Sequence, residues 1–162
     1  MKTKYKVILV DCDFTTPIDY YKLSNEIYVV QDMDILTIQS ITAFLRELKS
    51  KDISLGKMRI IINKFVKSSV SAKKIIYGLA NYYDPQMTFV DDLFDPNIEY
   101  YTVPFAVENY QKYIDNLYKC DMDFSNFTKD FLEMISVICS IVYPTNSGKM
   151  IANRKKKFGL FK

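Results

Sequence analysis

Residues 27–62, IYVVQDMDILTIQSITAFLRELKSKDISLGKMRIII, contain two short apolar runs separated by a longer amphipathic segment. The runs at 27–30 and 58–62 are rich in β-branched residues and do not alternate with polar ones, which is typical of strands buried on both faces. Between them, apolar residues recur at helical spacing, with Asp34 or Thr37 as a candidate N-cap. The order strand, helix, strand predicts a crossover connection and a parallel sheet.

Further runs on either side extend this pattern. Residues 5–11 contain Val-Ile-Leu-Val before Asp11, and residues 100–103 end at Pro104, which cannot donate to a strand ladder. Helical spacing recurs after Ser71, a candidate N-cap (Ile75, Ile76, Leu79), along 107–117 (Val107, Tyr110, Ile114, Leu117) and along 128–143. The predicted fold class is therefore α/β, a mainly parallel sheet with helices on both faces.

Charge divides the chain into two parts. Residues 1–144 form the predicted α/β domain, with a loop rich in turn formers at 84–97, and residues 145–162 form a predicted flexible basic tail. The six basic residues from position 149 onward have no acidic neighbour in the tail, whereas residues 1–148 hold 16 basic and 19 acidic residues. The mildly acidic body indicates no specific nucleic-acid binding, and the tail is suited to an anionic surface.

Composition excludes several kinds of chemistry. The four glycines, at 56, 78, 148 and 159, are too far apart to build a Gly-rich phosphate-binding loop. The absence of His excludes Ser-His and Cys-His nucleophile pairs and His-ligated zinc. Three widely separated cysteines favour neither a disulfide framework nor a metal site, and the apolar run after the basic N-terminus is too short for a secretory signal. These features predict a cytoplasmic setting.

The carboxyl ends of the predicted strands hold the candidate chemistry, because ligands of open α/β sheets bind outside those ends. Asp11 follows four apolar residues, which is the general form of a Walker B strand, whose carboxylate helps to hold magnesium beside a phosphate. Asn63 follows the third run, and Pro104 and Phe105 follow the fourth. Each of these could equally be an ordinary residue at the end of a strand.

The order of these segments resembles the C-terminal part of the MinD/ParA/CpaE-type ATPases, the deviant-Walker P-loop family. The resemblance covers roughly residues 5–143 through VILVDCD, the segment from residue 27 to residue 48, MRIIINK and YYTVPF. It implies part of a P-loop, Rossmann-like three-layer fold, and a bacterial protein of cellular positioning, partition or secretion-pilus assembly. In this resemblance Asp11 matches the catalytic and magnesium-positioning Walker B acid. Asn63 matches the residue that contacts the adenine, and Pro104 and Phe105 match the loop that closes over the base.

The chain departs from this family in two places. Cys12 and Asp13 stand where Thr-Pro or Ser-Pro often follows the Walker B acid. The Gly-rich loop that precedes the Walker B strand has no counterpart, and phosphoryl transfer needs such positioning and charge neutralisation. We therefore expect no ATP hydrolysis by this chain alone, and Mg-ATP binding only if a missing N-terminal segment or a partner completes the site.

Two other readings of the sequence remain open. One is a non-catalytic interaction module, a pseudo-ATPase subunit that docks on a partner or a membrane. The other is a receiver-like domain with Asp11 as phospho-acceptor, which is weaker because no acidic pair precedes Asp11. If the chain is a partial ATPase domain or a pseudo-ATPase subunit, the predicted strand at 5–11 leaves an open sheet edge. We therefore expect self-association or a partner that covers this edge.

The tail predicts contact with anionic membranes at the inner face of the cell membrane. Clustered cations followed by apolar residues combine electrostatic attraction with insertion (Arg154, Lys155, Lys156, Lys157, Phe158, Leu160, Phe161). A disordered, solubilising tail is the alternative. Co-sedimentation with anionic liposomes tests this prediction: the full chain should pellet, and a chain lacking residues 153–162 should stay in the supernatant. Equal binding by the two chains would contradict it.

Overall fold

Three parallel strands form the sheet of the computed structural model, which describes residues 5–80, 93–95, 97–121 and 123–143. The strands are β1 (Ile27–Gln31), β2 (Met58–Phe65) and β3 (Tyr100–Pro104), in the order β1-β2-β3. Ile27 pairs with Met58 in the first ladder, and Ile60 pairs with Tyr100 in the second. An α/β fold with a parallel sheet is thereby confirmed, as are three of the predicted strands.

Five α-helices accompany the sheet in the described residues. They are α1 (Ile18–Leu23), α2 (Ile35–Ser50), α3 (Ala72–Ala80), α4 (Val107–Lys119) and α5 (Lys129–Val142), and a 3₁₀ turn at Leu55–Lys57 precedes β2. The predicted caps are confirmed for two of them. The Asp34 carboxylate accepts a hydrogen bond from the Leu36 N–H at 3.0 Å, and the Ser71 hydroxyl accepts one from the Lys74 N–H at 3.3 Å. Each bond satisfies a backbone donor that a helix N-terminus leaves unpaired. Helix α1 is not evident from the sequence pattern.

The main core lies between one face of the sheet and the helices α2 and α3. Alternate residues of β2 point into it and are buried completely or almost so (Met58, Ile60, Ile62). The helices meet them with fully or almost fully buried aliphatic side chains (Leu45, Leu48, Ile75, Ile76, Leu79). Burial of side chains of this size stabilises the fold by about 1.5–3 kcal/mol each.

The C-terminal helices α4 and α5 follow β3 and are attached to the sheet through it. Helix α5 packs against β3, where Val103 is buried apart from the main core cluster. Helix α4 is tied to the start of α5 by Asn109, whose amide donates to the Thr128 hydroxyl at 2.9 Å and accepts from the Thr128 N–H at 2.8 Å. Hydrogen bonds therefore join the N-terminal part of α4 to the N-cap of α5, and α5 packs on β3.

The predicted strand at 5–11 is wrong. These residues form no strand, and all four apolar side chains at 7–10 are exposed, Ile8 by 72% and Leu9 by 79%. The residues that follow are attached to helices: the Asp13 carbonyl accepts from the Tyr21 hydroxyl at 2.8 Å, and Phe14 packs on Phe44 of α2 with ring centroids 5.1 Å apart. An apolar run reveals a preference for burial, but pairing also requires a strand edge within reach, and the chain is held at α1 and α2 instead.

Two predicted segments lie wholly or partly outside the described residues. The basic tail at 145–162, including the predicted membrane-contact residues, is one of them, and most of the predicted loop at 84–97 is the other.

Candidate functional site

The carboxyl edge of the sheet brings together three of the four predicted site residues outside the tail. Asn63 lies in the last part of β2, Pro104 ends β3, and Phe105 follows it. Pro104 is the register partner of Phe65, and the Phe105 N–H donates to the Phe65 carbonyl at 3.0 Å. Asn63 and Pro104 are half-buried and Phe105 is exposed, so the three residues form part of an accessible surface.

A backbone irregularity shapes this edge. The register between β2 and β3 shifts between Ile62 and Phe65, and Lys64 has a left-handed backbone with φ of 52°. A bulge of this kind bends a strand and redirects its side chains. It therefore separates the regular part of β2 from its last residues, where Asn63 is half-buried and Lys64 is exposed.

Gln31 is a buried polar residue at the same edge, at the carboxyl end of the strand predicted from the second apolar run. It ends β1, pairs with Ile62 and is completely buried. Its amide nitrogen donates to the Asp32 carbonyl at 2.6 Å and to the Asp34 carbonyl at 3.4 Å, which ties the end of β1 to the start of α2. Its Oε1 atom is buried without a hydrogen-bond partner in the described structure, which is energetically costly.

Asp11 does not lie at a strand end. It belongs to the exposed N-terminal segment, whose next residues contact α1 and α2. The strand-end geometry that the Walker B resemblance implies for its carboxylate is therefore not observed. Among the described ranges, no group of three or more acidic or Cys side chains could hold a metal ion.

A charged cluster centred on Arg59 occupies the opposite, amino edge of the sheet. Arg59 lies on the central strand, and its guanidinium contacts Glu26 at 3.3 Å on one side and Glu99 at 3.1 Å on the other. The Arg59 Nε hydrogen does not point at a carboxylate oxygen, so the contact with Glu99 is an ion pair without a hydrogen bond. The two carboxylates precede β1 and β3, so one side chain links all three strands.

Tyrosines complete this cluster on both flanks. The Tyr28 hydroxyl donates to Glu26 at 2.5 Å, and the Tyr101 hydroxyl donates to Glu99. Burial, followed by the neighbouring carboxylate, raises the pKa of Tyr101 to about 12 and raises that of Tyr28 as well. Burial lowers the pKa of Arg59, but Glu26 and Glu99 outweigh it and leave that pKa raised. The sequence signal was a repeated Glu-x-Tyr at the two flanking strands.

A groove of about 620 Å³ adjoins this cluster. Its polar wall includes Arg59 and Glu99, and its apolar wall includes Leu55, Leu93 and Phe94. It lies at the amino edge, whereas ligands of open α/β sheets bind at the carboxyl edge. The groove is therefore separate from the predicted site at the carboxyl edge.

Helix α4 presents an apolar surface to solvent. Tyr110 and Leu117 are 54% and 50% exposed, Val107 is exposed and Ile114 is half-buried. The buried residues of this helix are instead two asparagines, Asn109 and Asn116. An amphipathic helix of a globular protein normally buries its apolar stripe and exposes its polar side. In α4 this arrangement is reversed.

Hydrogen bonds explain the burial of these asparagines. Asn109 is bonded to Thr128, and the Asn116 amide donates to the Asp123 carbonyl at 2.9 Å. The backbone carbonyl of Asn116 accepts from the Asp121 N–H at 3.1 Å. These bonds fix the rotation of α4 about its axis, and they leave its apolar stripe on the surface.

Comparisons with protein-family models, curated proteins and solved structures each returned no match. No helix in the described part of the chain is both long and apolar enough to cross a membrane.

The tyrosines beside Arg59 predict a loss of stability at alkaline pH. A tyrosine whose pKa rises on folding stabilises the folded state while its hydroxyl is protonated. This contribution to stability is present below about pH 10, the ordinary pKa of tyrosine, and it is lost as the pH rises towards the pKa of the tyrosine in the folded state. For Tyr101 that value is about 12. Tyr101→Phe should therefore make the loss of unfolding free energy above about pH 10 shallower, as measured by urea unfolding at a series of pH values.

The matched control is Tyr118→Phe, because Tyr118 is exposed on α4. Its pH dependence should equal that of the unsubstituted chain. A Tyr101→Phe chain with an equally steep alkaline loss would contradict the assignment.

Proposed function

We propose that this chain is a non-catalytic interaction module that docks on a partner polypeptide through the apolar stripe of α4 (Val107, Tyr110, Ile114, Leu117). The observation that carries the proposal is the reversal of this helix, whose asparagines are buried while its apolar residues face solvent. Contiguous exposed apolar patches are uncommon on monomeric proteins and usually mark interaction sites.

The spacing of the stripe indicates the mode of docking. Its residues lie at i, i+3, i+7 and i+10, which is the pattern by which a helix inserts its apolar side into a groove of a partner. The aromatic ring of Tyr110 and the side chain of Leu117 supply large apolar anchors, and Tyr113 is exposed on the same helix. We therefore infer that the partner offers an apolar groove about three turns of helix long.

The stripe can be tested by site-specific photo-crosslinking in the native cells. A photoreactive amino acid at position 110 or 117 should give a covalent adduct with one protein, which mass spectrometry identifies. The control position is 23, because Leu23 is an exposed apolar residue on α1. Adducts from all three positions in equal yield, or from none, would contradict the proposal.

Affinity for the identified partner then tests the energetics. Leu117→Lys should weaken binding by about tenfold or more, because truncating a central anchor of an interface costs at least about 2 kcal/mol. Leu23→Lys adds the same charge elsewhere and should leave the affinity unchanged. The far-ultraviolet circular dichroism of both variants should match that of the unsubstituted chain, since both residues are exposed.

A second candidate function is binding of an adenine nucleotide at the carboxyl edge, as in the MinD/ParA/CpaE-type ATPases. The proximity of Asn63, Pro104 and Phe105 favours it, because a half-buried amide and an exposed ring could contact a purine base. This proposal includes the three-layer P-loop-like fold, with Mg-ATP held only when a further segment or partner supplies the phosphate loop. The position of Asp11 away from a strand end makes it the less favoured proposal.

Isothermal titration with adenosine, which needs no phosphate loop, tests the nucleotide proposal. The chain by itself should release a binding heat, and Asn63→Ala should weaken the affinity by roughly tenfold, the effect of losing about 1.4 kcal/mol. Asn126→Ala, at an exposed loop position, is the matched control. Absence of a binding heat, or equal weakening by the two substitutions, would remove this candidate.

A further inference from the structure

The outer edge of β1 is an incomplete part of the sheet. β1 pairs with β2 on one side, and within the described ranges no strand pairs with its other side. Val30, near the end of β1, is 58% exposed. An edge strand presents a row of backbone N–H and C=O groups that can template another strand.

The N-terminal apolar segment, residues 7–10, has the composition of the strand that this edge lacks. Its sequence is Val-Ile-Leu-Val, three of the four residues are β-branched, and all four are exposed. β-branched side chains favour the pleated, half-buried surface of a sheet. The segment is thus a strand-forming sequence that the described chain neither pairs nor buries.

Contacts on both sides attach this segment to helices α1 and α2 and to the end of α5 within one chain. After it, the Asp13 carbonyl is bound by Tyr21 and Phe14 packs on Phe44. Before it, the Lys6 ammonium lies over the ring of Tyr143, 5.9 Å from its centroid, at the end of α5. The described chain therefore leaves both the segment and the β1 edge available to a second copy.

Charge selects one way of joining them. In a parallel pairing that places Val7 opposite Ile27, the four apolar residues face those of β1, and Lys6 comes opposite Glu26. In the same register Asp11 comes opposite the neutral Gln31. The antiparallel alternative, with Val7 opposite Val30, places Asp11 opposite Glu26, and like charges directly across a ladder are destabilising. The parallel register is therefore the complementary one.

We propose that residues 7–10 of one copy pair in parallel with the outer edge of β1 in a second copy. When two copies exchange these segments reciprocally, each segment pairs with the β1 edge of the other copy and neither edge remains open. Such a two-fold arrangement is the commonest form of homodimer. Each copy then has a four-stranded sheet whose fourth strand comes from its partner. This inference uses a different surface from the α4 stripe and does not depend on the proposed function.

Disulfide trapping tests the register and the occupant together. Paired residues on adjacent strands are about 5 Å apart, within the Cα separation that a disulfide spans. Val10→Cys and Val30→Cys are combined in a chain whose exposed native cysteines Cys12, Cys120 and Cys139 are replaced by Ser. Mild oxidation should give a covalent dimer on a non-reducing gel, and peptide mapping should show the link from position 10 to position 30.

Two other outcomes of the trapping overturn the proposal. A link from position 10 to position 30 within a monomer would mean that the segment pairs with its own chain. Absence of the link at concentrations up to the solubility limit would mean that the edge is not filled by this segment. Val10→Cys with Leu23→Cys is the matched control and should give no linked dimer, because Leu23 is exposed on α1 outside the sheet.

Sedimentation equilibrium provides a second, non-covalent readout. Leu9→Asp should raise the dimer dissociation constant by more than about tenfold, because it replaces a buried apolar contact with a charge. Leu23→Asp should leave that constant unchanged. Both positions are exposed in the single chain, so neither variant should lose its fold. Equal dissociation constants for Leu9→Asp and the unsubstituted chain would contradict the proposal.

Discussion

The buried layer of β2 is the constraint on which the rest of the structure depends. Met58, Ile60 and Ile62 alternate along the central strand and reach one face of the sheet, where they contact the aliphatic side chains of α2 and α3. Because β2 also pairs with both other strands, its register positions β1 and β3. The lengths and directions of α2 and α3 follow, since each helix must return the chain to the start of the next parallel strand.

The same alternation determines what the opposite face of the sheet contains. Burial of Met58 and Ile60 places Arg59 on the other side, where it lies between the carboxylates of Glu26 and Glu99. Those acids precede the two flanking strands, and each accepts a hydrogen bond from a tyrosine hydroxyl. A single arginine thus contacts two carboxylates at the amino edge. The carboxyl edge carries the bulge at Lys64 and the accessible side chains of Asn63 and Phe105.

The α4 stripe and the segment at 7–10 both lie outside the core of the described chain, and their exposure has different causes. The stripe of α4 is exposed because hydrogen bonds of Asn109 and Asn116 fix the rotation of the helix. The segment at 7–10 is exposed because Asp13 and Phe14 hold the chain at α1 and α2. In both cases, polar or aromatic contacts made by residues that are not part of the apolar pattern determine where the apolar residues lie. Both surfaces are suited to association, the first with a groove and the second with a strand edge.

The sequence by itself determined the elements whose signals are local. Apolar periodicity and caps such as Asp34 and Ser71 identified α2 and α3, and three β-branched runs identified the strands, because backbone geometry and side-chain spacing act within a few residues. The convergence of Asn63 with Pro104 and Phe105 also followed, since the carboxyl ends of parallel strands share one edge.

Only the tertiary structure decided which apolar residues are buried. Val-Ile-Leu-Val at 7–10 has the same local pattern as the strands of the sheet, yet within the described chain it pairs with no strand and is exposed. The α4 stripe has the periodicity of a core helix, yet it lies on the surface. Two hydrogen bonds that the pattern does not reveal place it there: Asn109 bonds to Thr128, which is distant in sequence, and Asn116 bonds to Asp123 across a turn. Burial depends on what the rest of the chain brings against a segment, and no local pattern contains that information.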